Sequence, residues 1–144
     1  LLHASPRGPA ALGRTGAGLG YQTIAPSLAV ELDEHRNTPA DLAGNSASLV
    51  RDGNIAAPLV EVPCGFALAT PAAVFVWIDY EGAVMEVRVA DSSLRPASPL
   101  IRRDVPLHAW IGPAAYLGFT ASTGARNAIH EVLTLDVSHE AVTP

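Results

Sequence analysis

Apolar residues recur in this chain at every second position, in short runs closed by turn residues, and no stretch of normal helix length carries them at helical spacing. Leu28, Val30 and Leu32 alternate with Ala29, Glu31 and Asp33, so the two sets point to opposite faces of a strand over 27–33. Over 84–90, Met85, Val87 and Val89 share one face while Glu86 and Arg88 share the other, which is the pattern of a strand with one wet side. The run over 74–80 is apolar, β-branched and aromatic, and predicts a central strand buried on both faces, with Glu81-Gly82 turning it into the next. Asp52-Gly53-Asn54 is a hairpin signal between a strand over 47–51 and its return over 55–61. Further strands are expected over 100–105, 115–121 and 132–137, the last with Leu133, Leu135 and Val137 on one side and Thr134 and Asp136 on the other. Residues 1–5 read as the end of a strand, 6–20 as a glycine- and proline-rich loop, and 108–113 as a single helical turn or a loop. Short strands with turn signals between them predict an all-β, antiparallel β-sandwich.

The chain has 144 residues, 49% of them hydrophobic and 16% charged, which fits one domain with a real core. Its net charge of −5 argues against nucleic acid as a partner, because the phosphate backbone wants a basic face. Cys64 is the one cysteine, so neither an intrachain disulfide nor a cysteine-based zinc site can form, and it reads as a small buried hydrophobe. No stretch of about 20 apolar residues is present to span a membrane. The sequence begins at Leu1 without Met and without a signal-peptide pattern, and is read as a piece of a longer product. Trp77 and Trp110 read as core residues.

The chemistry gathers where the strand over 27–33 ends. Glu31 and Asp33 project from one face about 7 Å apart, and two neighbouring carboxylates repel unless something positive lies between them. Asn37 and Asp41 follow in a proline-containing loop that can fold back over the pair. Together with a backbone carbonyl they form a hard oxygen set of the kind that suits calcium. The bland alternative is a solvated acidic loop.

The spacing V-E-L-D-x-x-x-N-x-x-x-D resembles the metal-binding segment of the L-type (legume-type) lectins. Three further motifs resemble the same family in the same order. Val76-Trp-Ile-Asp-Tyr-Glu-Gly82 is similar to W-I-D-Y-D-G, Tyr116-Leu-Gly-Phe-Thr-Ala-Ser-Thr-Gly124 to Y-V-G-F-S-A-S-T-G, and His130-Glu-Val-Leu-Thr-Leu135 to H-x-I-L-S-W. The opening Arg7-Gly-Pro-Ala-Ala-Leu-Gly13 resembles the bacterial branch most. The resemblance covers nearly the whole chain and implies one concanavalin A-like jelly roll over 1–144, in which the family's N-terminal strands and the loop with its sugar-binding Asp-Gly pair are missing from this sequence.

Carried over by position, the resemblance implies calcium held by Asp33, the carbonyl of His35, Asn37 and Asp41. It also implies a transition-metal site from Glu31, Asp33 and Asp41, but the family's histidine ligand is replaced by Ser46. A serine hydroxyl substitutes poorly for imidazole at a transition metal, so calcium is expected at the first site and, at Glu31, a water or a hard ion such as magnesium or a second calcium. Sugar contacts are implied for Asn37, for His35 at the position of a stacking aromatic, for the backbone of Gly16 or Gly18, and for Ala125 and Arg126, with Asn127 beside them. The loop over 6–20 reads equally well as a plain connection, and Arg126 as a solvated turn residue.

The function this implies is calcium-supported, non-enzymatic binding of glycans or glycoconjugates in an extracellular or cell-surface setting, and the family allows a homodimer through sheet edges. Two other readings are a structural or adhesion domain that has lost sugar binding, and a glycan hydrolase using Asp79, Glu81 and Glu86, which would need two carboxylates facing each other across a cleft. His130-Glu131 offers an acid/base pair only in the weakest sense.

Overall fold

The structure, a computed structural model, describes residues 1–36, 44–124 and 128–139. Among the described residues, eight strands are formed in chain order: β1 (Leu2–His3), β2 (Ser27–Asp33), β3 (Ser46–Arg51), β4 (Val60–Pro63), β5 (Phe75–Glu81), β6 (Val84–Ala90), β7 (Ile101–Asp104) and β8 (Tyr116–Leu117). The one α-helix among the described residues, α1, covers Leu107–Ile111. The strands form a five-stranded antiparallel sheet in the order β4-β3-β2-β1-β8 and a three-stranded one in the order β5-β6-β7. This is the expected all-β sandwich.

Both faces of β2 are covered, and its alternation decides what each face meets. Leu28 and Val30 face the space between the two sheets, where Leu49 and Ala47 from β3, Met85, Val87 and Val89 from β6, and Ile101 from β7 form the main core. Ile111 and the half-buried Trp110 of α1 close one side of it. Ala29, on the opposite face, joins Val50, Ile24 and Tyr21 in a second, smaller core beneath the loop that precedes β2. Each fully buried aliphatic side chain contributes about 1.5–3 kcal/mol, so the main core carries most of the stability. The Arg51 guanidinium lies 4.5 Å from the centre of the Trp110 ring, joining the end of β3 to α1.

The β2–β3 ladder pairs Ala29 with Val50, Glu31 with Ser48 and Asp33 with Ser46. The turn after β3 has φ of 56° at Asp52 and 63° at Gly53, with the Asn54 N–H donating to the Arg51 carbonyl at 3.0 Å. Such left-handed pairs match the twist of a hairpin. The return is later than the sequence predicts, because a second turn (Ala57 N–H to Asn54 carbonyl, 3.1 Å) intervenes and the ladder resumes only at Leu59 and Val60.

Three expectations are corrected. The strand over 74–80 is not central. β5 is the edge of its sheet, and Val76, Ile78 and Tyr80 are 39%, 52% and 42% exposed although their register sets them beside the buried Val89, Val87 and Met85. The central place belongs to β6, which is paired on both sides. A continuous apolar run reads alike at an edge and at a centre, so periodicity alone does not separate the two. Of 115–121, only Tyr116–Leu117 forms a strand, against β1, with Gly118 exchanging backbone hydrogen bonds with Leu1 beyond it. Residues 132–137 form no ladder, and Val132, Leu133, Leu135 and Val137 are exposed. Alternation makes a strand only where a partner edge meets it.

The helical turn expected over 108–113 is α1, ended by Gly112, whose N–H donates to the His108 carbonyl at 2.9 Å. Cys64 is half-buried against the main core.

Candidate functional site

Period-two geometry puts Glu31 and Asp33 on the second face of β2, the face already sealed upstream by Ala29 and Val50. The buried Ser48 and Ser46 lie directly across from them on β3. Both carboxylates are half-buried. As β2 ends, the Asp33 Oδ1 accepts the backbone N–H of His35 at 2.8 Å, which turns the chain out of the sheet. Gly44 returns against Glu34 and Arg36, where a Cβ would lie 3.5 Å from the Glu34 carbonyl oxygen, so the two ends of the intervening loop are close.

A residue that the sequence reading did not single out completes this face. The Tyr21 hydroxyl donates to Glu31 Oε2. Burial, and then the charge of Glu31, its hydrogen bond and the charge of Asp33, push the Tyr21 hydroxyl far above the ordinary phenol range. The one signal available was physical: a half-buried carboxylate requires a donor, and Tyr21 closes the glycine-rich run on the same side of β2.

A cavity of about 120 Å³ opens beside the pair, lined by Leu19, Tyr21, Glu31, Thr120, Ser122 and His130 among others. Ser122 Oγ donates to the Gly16 carbonyl at 2.5 Å, holding the segment after β8 against the glycine loop.

The predicted site residues divide as follows. Glu31, Asp33 and the exposed His35 are together at the end of β2. Gly16, at φ 62°, has open space where a Cβ would be. Gly18 is buried, its N–H donates to the Thr15 carbonyl at 3.2 Å, and a Cβ there would meet Arg14 and Gln22 at 2.9 Å, so its missing side chain serves packing within the loop. Asn37, Asp41, Ala125, Arg126 and Asn127 lie outside the described residues. Among the described residues, no three His, Cys, Asp or Glu side chains come together to hold a metal ion.

The residue pattern in this fold has a family counterpart: the legume lectin domain profile matches residues 7–143. The chain belongs to the legume lectin domain family. Relatives of this lectin domain include the L-type lectin-domain containing receptor kinase VIII.2 of Arabidopsis thaliana, 30% identical over 122 residues that cover 82% of this chain and 16% of that protein. The L-type lectin-domain containing receptor kinase SIT1 of Oryza sativa subsp. japonica is 30% identical over 130 residues, covering 81% of this chain and 19% of that protein. The chain therefore spans less than a fifth of the length of these relatives.

Among the described residues, the surroundings of Glu31 in this lectin domain do not fit a transition-metal ion. Its Oε2 is engaged by Tyr21, and a buried serine stands across from Asp33 where the resemblance called for imidazole.

The acidic residues of the other sheet are arranged differently. Asp79 and Glu86 are direct partners across the β5–β6 ladder, and Arg88 bridges them at 2.9 Å and 2.8 Å. Arg95 reaches Asp79 at 2.5 Å and Arg102 reaches Glu86 at 3.0 Å. Neighbouring carboxylates on one sheet face, tied to arginines, do not face each other across a cleft as glycoside hydrolysis requires.

Proposed function

We propose that this lectin domain binds carbohydrate without catalysing a reaction, with calcium supporting the loop that leaves β2. The observation that carries the reading is the placement of Asp33, its carboxylate turned into the start of that loop by the His35 N–H at 2.8 Å, within a chain that matches the legume lectin domain. In this proposal Asp33, the His35 carbonyl, Asn37 and Asp41 supply oxygen ligands, as hard calcium prefers. The ion fixes the loop so that Asn37, which donates and accepts at once, meets vicinal sugar hydroxyls. Gly16, whose Cβ position is open, offers its backbone to the sugar, His35 offers a ring face, and Ala125 and Arg126 tune the choice of sugar.

Binding of a single sugar in so polar a site is expected near millimolar, about −4 kcal/mol, so useful affinity comes from several copies engaging one glycan surface. The partners are glycans or glycoconjugates and the setting is extracellular or at the cell surface. No helix among the described residues is long and apolar enough to cross a membrane.

The test is a glycan array probed with the multimerised chain, with calcium and after chelation. Calcium-dependent binding that Asn37→Ala removes supports the proposal. A folded, calcium-loaded chain that binds no glycan favours a structural domain that has lost sugar recognition.

A further inference from the structure

We infer that the Tyr21 hydroxyl takes, at Glu31, the place of the second metal ion that the family pattern implies, which makes Glu31 part of the scaffold of this domain. The inference concerns the second metal position alone and stands independently of whether the loop after β2 binds calcium or sugar.

Three observations converge on it. The first is the contact: the Tyr21 hydroxyl donates to Glu31 Oε2, and the tyrosine itself belongs to the second core. A divalent ion bound at the lone pair that accepts the hydroxyl would have to displace a tyrosine that is 3% exposed and packed with Ile24, Ala29 and Val50. A charge-assisted bond to a carboxylate is among the stronger hydrogen bonds, so displacement would leave a costly vacancy.

The second is the opposite strand. Ser48 and Ser46 face Glu31 and Asp33 across the ladder and are almost fully buried. Small hydroxyl side chains offer neither the charge nor the imidazole nitrogen that first-row transition metals select.

The third is the loop that delivers Tyr21. The Gly13 N–H donates to the Gly20 carbonyl at 2.8 Å, the Arg14 N–H to the Gln22 carbonyl at 3.2 Å, and the Tyr21 N–H to the Gly18 carbonyl at 3.0 Å. A Cβ on Gly13 would lie 2.4 Å from the Gln22 oxygen, so only glycine lets these strands of the loop close. Much of the glycine content of this segment is thereby explained by holding Tyr21 over Glu31.

The experiment has two arms. In chelator, thermal unfolding is followed for the unsubstituted chain, Tyr21→Phe, Glu31→Ala and the double variant. The expected result is that each single variant melts a few degrees lower and the double variant melts close to the lower single one, because the two residues act as a pair. Additive losses would overturn the inference. Glu31→Gln keeps an acceptor for the hydroxyl and is expected to melt within a degree or so of the unsubstituted chain, whereas a loss as large as that of Glu31→Ala would count against the pair. In the second arm, manganese is added to the calcium-saturated chain and its free electron paramagnetic resonance signal is recorded. The signal is expected to remain that of free manganese. Manganese uptake that Glu31→Ala abolishes would overturn the inference, and would do so even if the calcium reading had already failed.

Discussion

Ser46 lies directly across the β2–β3 ladder from Asp33, buried to 1% exposure, so the half-buried carboxylate at the mouth of the candidate loop has a small hydroxyl side chain as its cross-strand neighbour. That relationship separates the two metal positions implied by the family pattern. Asp33 can still serve a hard ion through the loop beyond it, whereas the side towards Glu31 is furnished with serines and a tyrosine. In the proposed reading, that face of the sheet combines a scaffold half, upstream, with a ligand half, at the strand end.

The main core sets the stability of the platform. Leu49, fully buried between the sheets, is expected to lose about 2–5 kcal/mol on replacement by Ala, through lost transfer energy and the cavity left behind. Urea unfolding would show this as a lower midpoint with an unchanged slope. Leu94→Ala, at a position 81% exposed, should leave the midpoint where it was.

Gly53→Ala tests the hairpin that ties the ladder to the second core. With φ at 63° and a Cβ that would lie 2.5 Å from the Thr23 nitrogen, the substitution is strained and crowded at once. A loss of more than about 1 kcal/mol is expected from the same unfolding measurement.

Arg88 and Arg102 carry the same charge and should behave differently. The Arg88 side chain is 10% exposed and bridges Asp79 to Glu86, while Arg102 is 60% exposed. Arg88→Ala leaves two neighbouring carboxylates without their shared cation and is expected to cost about 2 kcal/mol, discounted because Asp79 is partly solvated. Arg102→Ala should cost less than about 0.5 kcal/mol, and that smaller loss should disappear at high salt.

Burial pushes the Cys64 thiol up, so less of it is thiolate at mildly alkaline pH than for a free cysteine. Alkylation by iodoacetamide is expected to be slow in the folded chain and to accelerate on unfolding in urea. Because the folded value is the raised one, the associated stability is intact at neutral pH and is lost as pH climbs through the free thiol's range and beyond.

Much of this architecture was legible in the residues. The alternation of Leu28 to Asp33 placed β2 to the residue and set Glu31 and Asp33 on one face, because side-chain direction in a strand follows from period two alone. Val84–Ala90 was equally plain. What escaped the sequence was pairing. Residues 132–137 have the pattern of a strand and no partner edge among the described residues, and the apolar run at Val76 and Ile78 belongs to an edge strand. The contact of Tyr21 with Glu31 joins a loop to a strand through tertiary packing, with no periodic signal to announce it. The bridge from Arg88 to Asp79 is likewise a cross-strand neighbourhood that appears only once the register is known.

The most direct measurement is a calcium titration of the chelated chain, read by thermal unfolding, with Asp33→Ala and Asn37→Ala in parallel. An ion that binds only the folded state stabilises it by mass action, about 2.7 kcal/mol at a hundredfold excess over its dissociation constant. The account predicts a melting temperature that rises with calcium in the unsubstituted chain and stays flat in both variants. A folded chain whose melting temperature ignores calcium would contradict it.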